Sequence, residues 1–141
     1  MSQPAWTLFT DGASRGNPGQ AGAGAVLFDT EGHELAARSL YLGECTNNAA
    51  EYRALLLGLQ SALEQGCSRL EIRLDSELIV RQIKGRYKVK HETLKPLFAE
   101  VKTLLAQFDG WVIAHVPRAQ NKRADQLANQ GIDEQAGQQR N

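Results

Sequence analysis

Four acidic residues, Asp11, Glu51, Asp75 and Asp125, stand at or near the boundaries of regular elements, where a carboxylate can do metal chemistry. Asp11 closes the alternating run Trp6-Thr7-Leu8-Phe9-Thr10 and precedes Gly12, so it is read at a strand end where the backbone leaves room for a ligand. Asp75 closes a second short run, Leu70 to Leu74, and directly precedes a helical pattern. Glu51 falls in the first turns of a long helical stretch, and Asp125 one turn into the last one, between Ala124 and Ala128. Each of the first three also has a plainer use. A strand-end Asp forms turns, an Asp before a helix caps it, and a carboxylate near a helix start favours the positive end of the dipole. Asp125, among small apolar residues, has no such use.

If the strands ending in Asp11 and Asp75 are neighbours, and the helices carrying Glu51 and Asp125 start over the same sheet edge, the four carboxylates meet. Such a cluster repels itself unless cations neutralise it. Hard oxygen donors without Cys or clustered His select magnesium or manganese over zinc. Two such ions, roughly 4 Å apart, suit in-line phosphodiester cleavage, one activating the attacking water and the other stabilising the leaving oxygen.

The elements that must position these acids follow from periodicity. Trp6 to Thr10, Gly22 to Phe28 and Glu34 to Leu42 read as three strands, the last two joined by the turn Asp29-Thr30-Glu31-Gly32, hence an antiparallel meander. Asn48 to Gln65 reads as a long, largely buried helix, capped by Thr46 or Asn47 and ended by Gly66. Leu70 to Leu74 is a fourth strand, Ser76 to Lys84 a helix stopped by Gly85, Leu94 to Phe108 an amphipathic helix, and Trp111 to Val116 a fifth strand. Asn121 is read as the cap of a last helix running to about Gln130. Three meander strands followed by alternating helices and strands predict an α/β fold, a five-stranded mixed sheet flanked by helices. Residues 1–131 are expected to form a single domain, and the polar 132–141 a flexible tail.

Composition sets further bounds. At 141 residues the chain suits one domain with its whole site inside it. Lys+Arg and Asp+Glu are both 16, so any hold on nucleic acid must come from local patches or bound metal. No apolar run has the length of a membrane span and the first residues do not resemble a signal peptide, so a soluble, cytoplasmic protein is expected. Cys45 and Cys67 flank the long helix of about five turns, which would hold them on the order of 25 Å apart and excludes a disulfide between them.

The run Phe9-Thr10-Asp11-Gly12-Ala13-Ser14-Arg15-Gly16-Asn17-Pro18-Gly19, with Thr46-Asn47-Asn48-Ala49-Ala50-Glu51, Leu74-Asp75-Ser76-Glu77 and Asn121-Lys122-Arg123-Ala124-Asp125, resembles the signatures of type 1 ribonuclease H. The four segments come in that family's order and span residues 6 to about 131. The resemblance implies a ribonuclease H-like fold and the catalytic, metal-binding set Asp11, Glu51, Asp75 and Asp125. It implies two Mg2+ ions, with Mn2+ as a substitute, and cleavage of the RNA strand of RNA/DNA hybrids to 5′-phosphate and 3′-hydroxyl ends. It also implies hybrid contacts from Gly12, Ser14 and Asn17 in the Gly-rich segment and from Asn47 and Asn48, whose side chains offer both donor and acceptor to a 2′-hydroxyl. Thr46 is, by the same similarity, a candidate contact to a DNA-strand phosphate, although helix capping explains it equally well.

The chain departs from the family in two places. Many relatives carry a His in a longer loop before the last acid, whereas here the loop is the short Pro117-Arg118-Ala119-Gln120. Arg118, a permanent cation, is the favoured auxiliary residue for a scissile or released phosphate. His115 lies within the strand pattern and is read as a packed His. The basic handle of many bacterial relatives is missing, because Gly85 to Lys90 leads straight to the next helix. What remains is Arg81, Lys84, Arg86, Lys88 and Lys90, a reduced phosphate-binding patch or, as plainly, a solvated turn. Some shorter, handle-less members also cut double-stranded RNA, so the resemblance carries dsRNA as a second candidate substrate, and a monomer without protein partners is expected. The alternatives are a hybrid- or dsRNA-binding module without catalysis, a two-metal DNA nuclease on the same fold, and a domain that binds metal only for stability.

Overall fold

The computed structural model describes the backbone of residues 4–139. In chain order the elements are β1 (Trp6–Gly16), β2 (Gly19–Phe28), β3 (Glu34–Cys45), α1 (Asn47–Glu64), β4 (Arg69–Leu74), α2 (Glu77–Ile83), α3 (Lys95–Leu105), β5 (Gly110–His115) and α4 (Lys122–Gln139), with a 3-10 turn at Arg118–Gln120. The five strands form one sheet in the order β3-β2-β1-β4-β5. β1–β2 and β2–β3 pair antiparallel, β1–β4 and β4–β5 parallel, which is the expected meander joined to two parallel strands.

Two sequence patterns in β2 decide how helices sit on this sheet. Ala21 and Ala23 point to one face and form a small buried cluster with Ala50 and Ala54 of α1. Between them, Gly22 and Gly24 point to the other face, where a side chain on either would lie 2.1 Å from the carbonyl oxygen of Ala128 or Ala124 in α4. Small residues on both faces thus let α1 and α4 approach the sheet closely from opposite sides. The larger core lies on the α1 side, where Leu8, Ile72, Leu74, Leu55, Leu59, Ile79 and Val101 are buried together.

Several boundaries differ from the sequence reading. β1 does not stop at Asp11 but continues to Gly16, pairing with β2 through Gly16↔Gly19. Most of the Gly-rich segment is therefore a hairpin extension of the sheet, its glycines and alanines accepting the strand because β2 supplies a partner for every residue. The last helix does not stop near Gln130: α4 runs to Gln139, into the stretch read as a tail, and Ile132 is buried. Its Cγ1 would lie 3.0 Å from a Cβ at Gly22, so an apolar contact with the sheet carries the helix on through a polar sequence. Residues 1–3, 140 and 141 lie outside the described residues. Among the described residues, no helix is long and apolar enough to cross a membrane.

Candidate active site

The β1–β4 register builds the site. Its last pair is Phe9↔Arg73, and two residues further along each strand come Asp11 and Asp75. Both strands run the same way, so the two acids leave their carboxyl ends side by side, at the point where the sheet switches from antiparallel to parallel neighbours. Glu51 arrives from the first turns of α1 on one face, and Asp125 from the first turn of α4 on the other.

Carboxylate oxygens of Asp11, Glu51 and Asp75 lie within 4.8 Å of one another. Asp125 stands beside Asp11 and lines the same cleft of about 450 Å3, with Gly12, Ala13, Ser14, Asn47, Asn48, Ser76 and Arg118. Asp11 is only 6% exposed. Burial first, then the neighbouring Glu51, Asp75 and Asp125, push its pKa up to about 10. Burial also raises Glu51, to about 7, with Asp75 adding to the rise, while Asp11, the Gly12 N–H and Arg118 oppose it. Oε2 of Glu51 is buried without a hydrogen-bond partner among the described residues. A pocket of acids that resist ionising together, one with an oxygen left unpaired, suits divalent cations bound by oxygen.

The plainer uses of Asp75 and Asp11 fall away. Ser76, not Asp75, caps α2, its hydroxyl accepting from the Ile79 N–H at 3.4 Å. Asp11 forms no turn, because β1 continues past it. Asn121, read as a helix cap, does something else with its side chain: the amide donates to the Thr10 carbonyl at 2.9 Å and to Asp75 at 3.0 Å. Asp125 is steadied by Asn129, whose amide donates to the Asp125 carbonyl at 3.0 Å and approaches its carboxylate at 3.4 Å. The sequence reading missed Asn129, although a polar residue four positions after an acid on one helix face was the available sign.

The expected substrate contacts divide into those at the cleft and those away from it. Gly12, Ser14, Asn47 and Asn48 line it. Gly12, however, is a glycine for a local reason, since a Cβ there would lie 2.3 Å from the main chain of Ala50. The Ser14 hydroxyl reaches the carbonyls of Cys45 at 2.8 Å and Gly16 at 2.5 Å, tying β1 to the end of β3. Thr46 caps α1, accepting from the Ala49 N–H at 3.2 Å, and Asn17 accepts from the Asn47 N–H at 3.1 Å. Thr46 and Asn17 line an adjoining hollow of about 290 Å3 that shares Asn47 and Asn48 with the cleft and is closed by His91, Thr93 and Leu94. His91 was not singled out in the sequence.

The basic residues fare differently. Arg118 faces the acid cleft and its charge is felt by Glu51. His115 ends β5 exposed rather than packed, and does not line the cleft. Arg81 is engaged locally, with Glu77 at 2.5 Å and the Tyr87 hydroxyl at 3.2 Å, its guanidinium over the Tyr87 ring. Lys84, Arg86 and Lys88 are exposed, have no ion-pair partner among the described residues, and lie outside the cleft lining. Cys45 and Cys67 are both free.

Comparison with known proteins agrees with this geometry. A family profile described as "Reverse transcriptase-like" matches residues 9–131. The chain is 42% identical over 142 residues to the ribonuclease H of Halorhodospira halophila, covering 89% of this chain and 91% of that protein. The crystal structure of RNase H1 from Halobacterium salinarum superposes with a TM-score of 0.90 at 41% identity, covering 93% of this chain and 99% of that one. LC11-RNase H1, whose structure is in complex with an RNA/DNA hybrid, superposes with a TM-score of 0.89 at 44% identity, over 93% and 99% of the two chains. Against the longer Mycobacterium tuberculosis bifunctional protein Rv2228c, which it matches at 44% identity, the chain spans only 35% of the length.

Proposed function

Because the chain belongs to the type 1 ribonuclease H family, in a short form with the ribonuclease H-like fold, we propose that it hydrolyses the RNA strand of RNA/DNA hybrids, leaving 5′-phosphate and 3′-hydroxyl ends. The observation that carries this reading is the convergence of Asp11, Glu51 and Asp75 within 4.8 Å, with Asp125 against Asp11 in the same open cleft. A pure binder of a polyanion has no use for such a concentration of negative charge, whereas a hydrolase that works through magnesium or manganese requires it.

Asp11, Glu51, Asp75 and Asp125 would hold two divalent cations, which when bound supply charge neutralisation, an activated water and a stabilised leaving oxygen. The protein's own part is to keep these oxygens in place before substrate arrives. The Gly12 N–H holds Glu51, Asn121 holds Asp75 and Asn129 holds Asp125, so little reorganisation remains to be done at the moment of reaction. Arg118 sets one fixed cation at the cleft rim, suited to a phosphate oxygen.

Asn47 and Asn48 line both the cleft and the adjoining hollow, which supports a role for their amides at a ribose of the cut strand. They offer the donor and acceptor that a 2′-hydroxyl needs. Thr46, Asn17 and His91 line the hollow, where Thr46 would meet a phosphate of the DNA strand and Asn17 would join Asn47 and Asn48 toward the minor groove. Lys84, Arg86 and Lys88 add exposed positive charge on a chain of zero net charge.

The test is cleavage of an end-labelled RNA/DNA hybrid in magnesium and in manganese, with RNA, DNA and RNA/RNA duplexes of the same sequence alongside, then in chelator and with Asp11→Asn. Cutting confined to the RNA of the hybrid, and abolished by both chelator and Asp11→Asn, is the expected result. Binding of the hybrid without cleavage in either metal would overturn the hydrolase in favour of a binding module, and cutting of the DNA duplex would make it a DNA nuclease.

A further inference from the structure

We propose that Asn121 is a positioning residue that locks Asp75, the main chain of β1 and the start of α4 into one frame, and so sets the divalent-cation affinity of the acid site. Its side chain is 1% exposed. Nδ2 carries two protons and meets two acceptors, the Thr10 carbonyl at 2.9 Å and the Asp75 carboxylate at 3.0 Å. Thr10 immediately precedes Asp11, so one amide reaches across from one acid strand to the other, where the β1–β4 pairing has already ended at Phe9↔Arg73. The Asn121 carbonyl in turn accepts the N–H of Asp125 at 3.1 Å. Three of the four acids are therefore tied through this one residue.

The amide can only stand in this sense. Oδ1 has no donor among the described residues, and turning the group over would set an oxygen against two acceptors. Aspartate in its place would add a like charge 3.0 Å from Asp75, and serine could satisfy one acceptor only. An asparagine that gives both protons to the frame is thus a donor bracket for a carboxylate, the arrangement that orients metal ligands through their outer neighbours.

This inference rests on the hydrolase reading above, and its test separates the two. Mg2+ and Mn2+ are titrated calorimetrically into the wild-type protein and into Asn121→Leu, which keeps the shape without the donors, and Asn121→Ala. Melting temperatures in chelator, and kcat and KM on the hybrid, are measured alongside. The expected result is a metal affinity weaker by about 10–100-fold, a kcat reduced comparably, an unchanged KM for the hybrid and folded variants in chelator. In an Asp75→Ala background, Asn121→Leu is expected to cost little further metal affinity, because the two act as a unit. Wild-type metal affinity in a folded variant, a rise confined to KM, full additivity with Asp75→Ala, or unfolding of both variants in chelator would each overturn the proposal. If the wild type cuts no hybrid while metal affinity still depends on Asn121, the hydrolase reading fails and the positioning role stands.

Discussion

Gly12 packs so close to α1 that a Cβ would sit 2.4 Å from the Glu51 nitrogen, and its backbone N–H offsets part of the rise that burial gives the Glu51 carboxyl. The contact locks the first turns of the helix onto the strand that bears Asp11, and only a residue without a side chain permits it. Gly12→Ala is accordingly expected to lift α1, cost about 1–3 kcal/mol of stability by overpacking, and weaken divalent-cation binding. Denaturant unfolding in chelator, paired with calorimetric metal titration, checks both effects; a wild-type metal affinity would refute the coupling.

On the opposite face Gly24 performs the matching service for α4, with a Cβ placed 2.1 Å from the Ala124 carbonyl. Gly24→Ala should destabilise by a comparable ~1–3 kcal/mol and move Asp125 away from Asp11. Turnover on the hybrid should then fall more than substrate binding does. Equal effects on kcat and KM would point to a general loosening instead.

Asp11 is held among other acids at a cost to the metal-free fold. Asp11→Asn removes the need to take up a proton there on folding, and should abolish cleavage while raising metal-free stability near neutral pH by on the order of 1 kcal/mol, about 4 °C in melting temperature. A melting temperature in chelator that falls below the wild-type value would contradict this.

The same electrostatics fix a pH dependence. Folding raises Asp11 to about 10 and Glu51 to about 7, both above their ordinary values of 3.8 and 4.5. Between those limits the folded, metal-free protein binds more protons than the unfolded chain, so this contribution is present at low pH and is lost as pH rises through the folded values. In chelator, stability should therefore decline as pH rises from about 5 toward 10. Saturating Mg2+ displaces these protons and should flatten the decline, so the stabilisation by metal grows with pH. Melting curves across that range with and without Mg2+ test it, and a metal increment independent of pH would be the contrary result.

Arg118 lines the cleft and acts on Glu51 without an ion-pair partner among the described residues. Arg118→Ala should lower kcat by about 10–100-fold with metal binding retained, and lysine should restore only part of it, lacking the planar fork. Wild-type turnover in the alanine variant would remove Arg118 from the mechanism.

The sequence by itself determined the element order and the identity of the acids. Strict alternation in Leu70 to Leu74, the looser alternation in Trp6 to Thr10, and the apolar stripe from Ala50 to Leu63 are local patterns set by side-chain period, and each appears in the fold within a few residues. The zero net charge and the missing basic handle were equally plain, being matters of composition and length.

Only the tertiary structure decided what each polar group is for. Asp75 and Asn121 were both open to reading as caps; the fold makes Ser76 the cap of α2 and turns Asn121 into a bracket between Thr10 and Asp75, which are distant in sequence. Gly12 was read as leaving room for a ligand and proved to be close packing against Ala50, while β1 ran on to Gly16 because β2 was there to pair with it. The last helix outran its local signal because Ile132 found the sheet at Gly22. A sequence window reports propensity and period, whereas the partner of a hydrogen-bonding group, or the room left beside a glycine, depends on chain far away that only the folded state brings near.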